Sequence, residues 1–282
     1  MGVRRAVELA QAEAERVRAE GRSACTLGPL IHNPQALDDL KRLGVGVLDE
    51  DSLPDNLGGV SVIIRAHGIC PQTEDGIRRR GAAVIDATCP RVKASQLKAR
   101  AFTEAGYRLF LAGEETHAEI AGIRGYACDG CFLAVAGCPA EAESAAARLL
   151  ADAGRGKTAL IGQTTISAEE YQAIGGAIAR FFPDVEIAQT ICAATRERQH
   201  SLRELLGKVD AVVIAGGKSS ANTRRLLLIA EASGKPCALV ETAGDIPPDF
   251  FACRTVGLAA GASTPDSVIQ GIEQALYDSR NS

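Results

Sequence analysis

The sequence predicts an α/β protein built from three pseudo-symmetric copies of one unit, arranged as a trefoil. Two observations carry the expectation. Apolar runs of strand length alternate with helix-length segments along all 282 residues, the pattern of parallel sheets covered by helices. The chain also repeats itself: laying Cys192 on Cys89, an offset of 103, sets residues 212–215 on 109–112 without a gap, and Gly216 on Gly113. A weaker third copy lies at the start, where His32 stands four residues after Gly28 as His117 stands after Gly113 and Ser220 after Gly216.

The elements follow in order. Residues 2–19 carry Val3, Ala6, Val7, Ala10, Ala14 and Val17 at helical spacing. The runs 60–65, 108–112, 158–162, 211–215 and 255–259 are short stretches rich in Val, Ile, Leu and Ala that end in glycine-containing loops, and read as strands. Segments 91–104, 168–180, 201–206 and 224–232 have helical spacing or composition. In parallel α/β folds ligands gather at the carboxyl ends of strands, so the polar residues there are the candidates for chemistry. After the first strand of each copy these are His32, His117 with Glu119, and Ser220 with Asn222. After the second they are His67, then Thr164 with Thr165, then Ser263. A trefoil would bring these loops to one centre, with Glu119 and His117 both facing it from an extended loop.

Composition excludes several functions. Thirty-one Lys plus Arg against thirty-five Asp plus Glu leave a formal charge of -4, aromatics are 4% and Trp is absent. A nucleic-acid binder needs a basic field or stacking rings. No apolar run approaches the length of a membrane span. The expectation is a cytoplasmic protein with no nucleic-acid or membrane partner.

Nine cysteines are an odd and high count for such a chain, which argues for metal or redox duty rather than a disulfide framework. Cys89 precedes Pro90, a residue suited to a first helical position, and Cys192 occupies the equivalent place in the next copy. A thiol at a helix N-terminus has its thiolate favoured, as metal ligation requires. Cys128 and Cys131 flank Asp129-Gly130, a hairpin signal. With Cys138 they lack a fourth zinc ligand. Cys25, Cys237 and Cys253 read as core, and Cys70 has no counterpart. Gly216-Gly217-Lys218-Ser219 fails as a phosphate-loop motif because Val212 stands where its first glycine belongs.

Nine motifs occur in one order: Met-Gly-Val-Arg-Arg-Ala-Val, Gly-Pro-Leu-Ile-His-Asn, Arg-Ala-His-Gly, Asp-Ala-Thr-Cys-Pro, Thr-His-Ala-Glu, Gln-Thr-Thr-Ile-Ser, Ile-Cys-Ala-Ala-Thr-Arg-Glu-Arg-Gln, Ser-Ser-Ala-Asn and Gly-Ala-Ser-Thr-Pro-Asp. On these the chain resembles the 4-hydroxy-3-methylbut-2-enyl diphosphate reductase family, iron–sulfur enzymes of the non-mevalonate isoprenoid route. The resemblance implies three α/β domains, at 1–88, 89–187 and 188–282, around a [4Fe-4S] cluster held by one cysteine from each. It implies reductive dehydroxylation of the allylic diphosphate to isopentenyl and dimethylallyl diphosphate, with electrons from a ferredoxin or flavodoxin. Carried over, Cys89 and Cys192 are cluster ligands. His32, His67, His117, Ser220, Asn222 and Ser263 grip the diphosphate, while Glu119 donates the proton and Thr164 orients it. Glu119 is expected to be the acid rather than Asp86, which would set the turn before Cys89, or Glu115. The family's first cluster cysteine would fall immediately before Met1, so the chain reads as N-terminally shortened. Ala221 replaces a serine common in the diphosphate loop. The alternative is a non-redox diphosphate-binding homologue that has lost the cluster; a nucleotide-binding regulator has only the failed phosphate-loop match behind it.

Overall fold

The computed structural model describes residues 2–278. They form two compact units: residues 2–30 with 40–192, and 31–39 with 193–278.

The first unit holds two four-stranded sheets. Helix α1 (Gly2–Ala19) leads into β1 (Ser23–Leu27), followed by α2 (Pro34–Arg42), whose residues 34–39 belong to the second unit, and then by β2 (Gly46–Leu48), β3 (Val60–Ile64), α3 (Pro71–Arg79) and β4 (Ala83–Asp86). The strands lie in the order β2-β1-β3-β4. The second sheet repeats this plan with α4 (Pro90–Glu104), β5 (Arg108–Ala112), α5 (Ala118–Arg124), β6 (Leu133–Ala136), α6 (Pro139–Ala153), β7 (Thr158–Gly162), α7 (Ala168–Ala179) and β8 (Glu186–Ile187), ordered β6-β5-β7-β8. The second unit contains α8 (Ala193–Leu206), β9 (Ala211–Ala215), α9 (Ala221–Glu231), β10 (Cys237–Val240), β11 (Val256–Ala260) and α10 (Asp266–Asp278), with strand order β10-β9-β11. Every strand pair is parallel.

Strand alternation explains how helices cover both faces. In β5, Leu109 and Leu111 join one cluster with Ala99 of α4 and Ile120 and Ile123 of α5. Phe110 and Ala112 point the other way, into the cluster of α6 and α7. In the third sheet Val213 packs toward Ile272 of α10, while Val212 and Ile214 face Leu202 of α8 and Leu226 of α9. Strands buried on both sides read as continuous apolar runs, which is why β3, β5, β7 and β9 are visible in the sequence; β11 is apolar too, though only partly buried. The last of these begins at Val256 rather than residue 255, and α8 begins at Ala193, well before residue 201.

Two expectations are corrected. Cys128 and Cys131 do bound a turn, with the Cys131 amide donating to the Cys128 carbonyl at 3.3 Å. It joins α5 to β6 within a parallel sheet, so there is no hairpin. Nor are Cys25, Cys237 and Cys253 sealed in the core: each is partly exposed.

Each sheet reverses strand order beside its central strand, between β1 and β3, β5 and β7, and β9 and β11. Ligands of open parallel sheets bind outside the carboxyl ends at such switch points. The glycine after each central strand has positive φ, 65° at Gly28, 157° at Gly113 and 147° at Gly216. Their amides donate to the last carbonyl of the neighbouring strand, Leu48, Ala136 and Val240, at 2.8, 3.0 and 2.9 Å.

Candidate functional site

In the first unit the loops after β5 and β7 build a buried acid. His117 is the N-cap of α5, its Nδ1 accepting from the Glu119 amide at 3.1 Å. An Nδ1 that accepts carries no proton, so in the neutral ring Nε2 holds the hydrogen and is a donor. Glu119 therefore lies on the first turn of a helix and not on an extended loop, which corrects the sequence expectation. Its carboxylate is 1% exposed. The Thr164 amide donates to Glu119 Oε1 at 2.6 Å and the Thr164 hydroxyl to Oε2 at 3.0 Å. Burial pushes the Glu119 pKa up to about 7, prevailing over the two Thr164 bonds that favour the ionised form. The result is a carboxyl group that can hold or release a proton near neutrality.

The competing carboxylates behave otherwise. Asp86 accepts from the Thr88 amide at 2.9 Å and stands 3.1 Å from the Lys93 ammonium. Burial alone would raise its pKa, but the Thr88 hydrogen bonds and Lys93 outweigh it and the group is held below its ordinary value. It shapes the turn before Cys89, as expected. Glu115 is exposed, 3.8 Å from Arg124.

His67 follows β3, and its ring meets that of His117 edge to face, with centroids 5.3 Å apart. Cys89 is the N-cap of α4, with Pro90 at the first helical position and no cap hydrogen bond from its sulfur. Its amide donates to the Ala66 carbonyl at 2.9 Å; the Cys192 amide donates to the Thr164 carbonyl at 3.1 Å. Ala66 and Thr164 each lie two residues beyond a strand, so both cysteines are hung from their sheets by the same bond. Gly2 of α1 packs directly on the Cys89 thiol. Cys70 is used elsewhere: it caps α3, its sulfur 3.1 Å from the Thr73 hydroxyl, and packs on Gly125.

In the second unit Ser220 caps α9, its hydroxyl accepting from the Thr223 amide at 3.4 Å. Beside it on the first turn, both side-chain polar atoms of Asn222 are buried and lack a hydrogen-bond partner, as does the hydroxyl of Ser263 beyond β11. Buried polar groups are nearly always paired, so these orphans point to a polar ligand. His32 belongs to this unit, its carbonyl against Gly217. It is not the residue equivalent to His117 and Ser220. That cap is Asn33, whose Oδ1 accepts from the Ala36 amide at 2.9 Å. The signal was present in the sequence, as Asn followed by Pro34 marks an N-cap and first helical position. Sequence reasoning also missed Gln163, which is fully buried and joins two loops: its Oε1 accepts from the Glu114 amide at 3.1 Å and its Nε2 donates to Thr165 at 3.0 Å. Lys218 gives its amide to Glu241 at 3.0 Å. No helix among the described residues is long and apolar enough to cross a membrane.

Parallel sheets with helices on both faces and polar residues gathered beyond their strand ends are the architecture of an α/β enzyme. The family model described as LytB protein matches residues 1–277, and the chain belongs to that family. It is 42% identical to the 4-hydroxy-3-methylbut-2-enyl diphosphate reductase of Treponema pallidum (strain Nichols), over 98% of this chain and 80% of that protein. It is 38% identical to the enzyme of the same name from Aquifex aeolicus (strain VF5), over 98% and 92%. A solved structure of (E)-4-hydroxy-3-methyl-but-2-enyl diphosphate reductase, titled as the terminal enzyme of the non-mevalonate pathway, is 37% identical with a TM-score of 0.69, covering 99% of this chain and 95% of that one. The reductase structure from Plasmodium falciparum, at 24% identity, shares the fold with a TM-score of 0.85 over 97% and 83%.

Proposed function

We propose that this protein is a reductase that removes the allylic hydroxyl of (E)-4-hydroxy-3-methylbut-2-enyl diphosphate, giving isopentenyl and dimethylallyl diphosphate. The buried Glu119–Thr164 pair carries the reading. Hydroxide leaves an allylic carbon poorly, and a carboxyl group protonated near neutrality supplies the proton that lets it leave as water; two electrons from the external donor and a second proton, added at either end of the allyl system, complete the reduction to the two products. Glu119 holds that proton, and Thr164 keeps the carboxyl oriented through its amide and hydroxyl.

Asn222 Nδ2 and the Ser263 hydroxyl are unsatisfied donors that suit phosphate oxygens and diphosphate recognition, and we assign Ser220 and His32 to the same task. His117 offers a neutral imidazole donor from Nε2, with His67 beside it. Uncharged donors of this kind orient a diphosphate through short hydrogen bonds.

Cys89 and Cys192 suit a [4Fe-4S] cluster: both precede helix N-termini, both hang by the same amide bond, and the sulfur of Cys89 is not spent on capping. When bound, such a cluster supplies electrons and a Lewis-acidic iron for the hydroxyl oxygen. In sheets one and two, β4 and β8 run on toward these cysteines; among the described residues β11 has no strand on the corresponding edge. The electron donor is of ferredoxin or flavodoxin type, and the three domains span 1–88, 89–187 and 188–282.

The test is anaerobic turnover of the allylic diphosphate by iron- and sulfide-reconstituted protein with a chemical reductant. Both isopentenyl and dimethylallyl diphosphate are expected; a protein with a full cluster that forms neither would refute the assignment.

A further inference from the structure

We propose that Gln96 is a positioning residue whose buried amide locks the His67 loop to helix α5 and so sets the geometry of His67, His117 and Glu119. The role in catalysis rests on the function proposed above; the locking itself does not.

Gln96 lies on α4 seven residues after Cys89, two helical turns on and therefore on nearly the same face. It is completely buried. Its Nε2 donates to the Ile69 carbonyl at 3.4 Å, at the end of the loop that carries His67. Two glycines on different elements make room for this amide. Gly68 of the same loop, at φ 72°, packs directly on it, and a Cβ at Gly122 of α5 would stand 3.0 Å from Nε2 and 3.4 Å from the His67 carbonyl. Gly122 lies one turn beyond Glu119, on the helix that His117 caps. Three elements thus meet at one side-chain amide, with the Thr88 methyl beside it at Gly68.

Packing alone does not account for the residue. Methionine would fill a similar volume without burying an amide, and Gln96 Oε1 has no partner. A polar group retained at that cost is retained for where its donor points. The position recurs: Gln199 stands seven residues after Cys192, is 2% exposed, and likewise has an amide atom, Nε2, without a partner.

The experiment uses Gln96→Met, Gln96→Ala and Gly122→Ala in the cluster-free chain. The first readout is the ring-to-ring nuclear Overhauser effect between His67 and His117, which depends on no functional assignment. It is expected in the parent and lost in Gln96→Met while the far-UV spectrum and melting temperature stay close to the parent's. The second is the affinity for inorganic pyrophosphate, expected to weaken about tenfold in Gln96→Met. Gly122→Ala should weaken it alone, by pushing on the amide, and add nothing in the Gln96→Ala background. An unchanged ring contact in Gln96→Met, or Gly122→Ala effects that add fully to those of Gln96→Ala, overturns the proposal. Should Gln96→Met fail to fold, Gly122→Ala carries the ring-contact test by itself. A parent that binds no pyrophosphate yet loses its ring contact in the variants refutes the functional reading and leaves the locking role standing.

Discussion

Glu119 remains a carboxylic acid near neutral pH because a charge at 1% exposure is solvated only by Thr164. This has two measurable consequences. With a folded pKa of about 7 against an ordinary value of 4.5, the native state keeps a proton that the unfolded chain releases across that window. Stability therefore falls as pH rises from 4.5 to 7 and is level above, by up to roughly 3 kcal/mol. Urea unfolding at pH 5 and pH 8 should show this difference in the parent and not in Glu119→Gln; equal slopes in both would contradict the burial argument. In the reconstituted enzyme the same substitution should slow turnover at least about a hundredfold, and the parent's rate should decline above pH 7 as the acid loses its proton. Near-normal turnover by Glu119→Gln with its iron intact would move the acid elsewhere.

At the scale of elements, helix caps and fastenings decide where these side chains stand. His117, Ser220 and Asn33 cap equivalent helices through three different acceptors. His117→Ser should therefore leave α5 formed, at a stability cost of less than about 1 kcal/mol, while weakening pyrophosphate binding by about 1–3 kcal/mol through loss of the imidazole donor. Paired denaturation and calorimetry separate the two effects. Tyr171 fastens α7: its hydroxyl lies 2.9 Å from the Leu160 carbonyl and 2.8 Å from that of Ala188. Tyr171→Phe should cost about 1–2 kcal/mol in urea unfolding, since it strands a buried carbonyl. The sequence showed the long elements and concealed the short ones for a physical reason. Helix α5 has seven residues with Gly122 inside, and β8 has two exposed residues; neither spans enough chain for a period to register. The role of Glu119 came from the family resemblance, supported by its place beside His117, but its helical setting depended on a histidine cap, a rare choice.

The molecule as a whole repeats one sheet plan three times, and that repeat was legible because strands covered on both faces must be continuously apolar. What could not be read was which part of the chain keeps company with which. Residues 31–39, early in the sequence, belong to the unit of the third sheet, through contacts such as Gln35 Nε2 donating to the Glu241 carbonyl at 3.2 Å, and no local pattern encodes such a partner. If the polar atoms of Asn222 and Ser263 await an anion, pyrophosphate at a hundredfold excess over its Kd should stabilise the fold by about 2.7 kcal/mol, visible as a raised melting temperature; no rise at that occupancy would exclude them as a diphosphate cradle. The glycine after each central strand, tied to the neighbouring strand by a main-chain bond, separates architecture from chemistry. Because Gly28, Gly113 and Gly216 bind the neighbouring strand through their own amides, the side chain a few positions on has only its own helix to cap. Duplicated copies could then specialise one at a time, each mutation trying a new reagent on an unchanged chassis, and a library of cap-competent residues at Asn33, His117 and Ser220 would explore binding chemistry with little loss of folded protein.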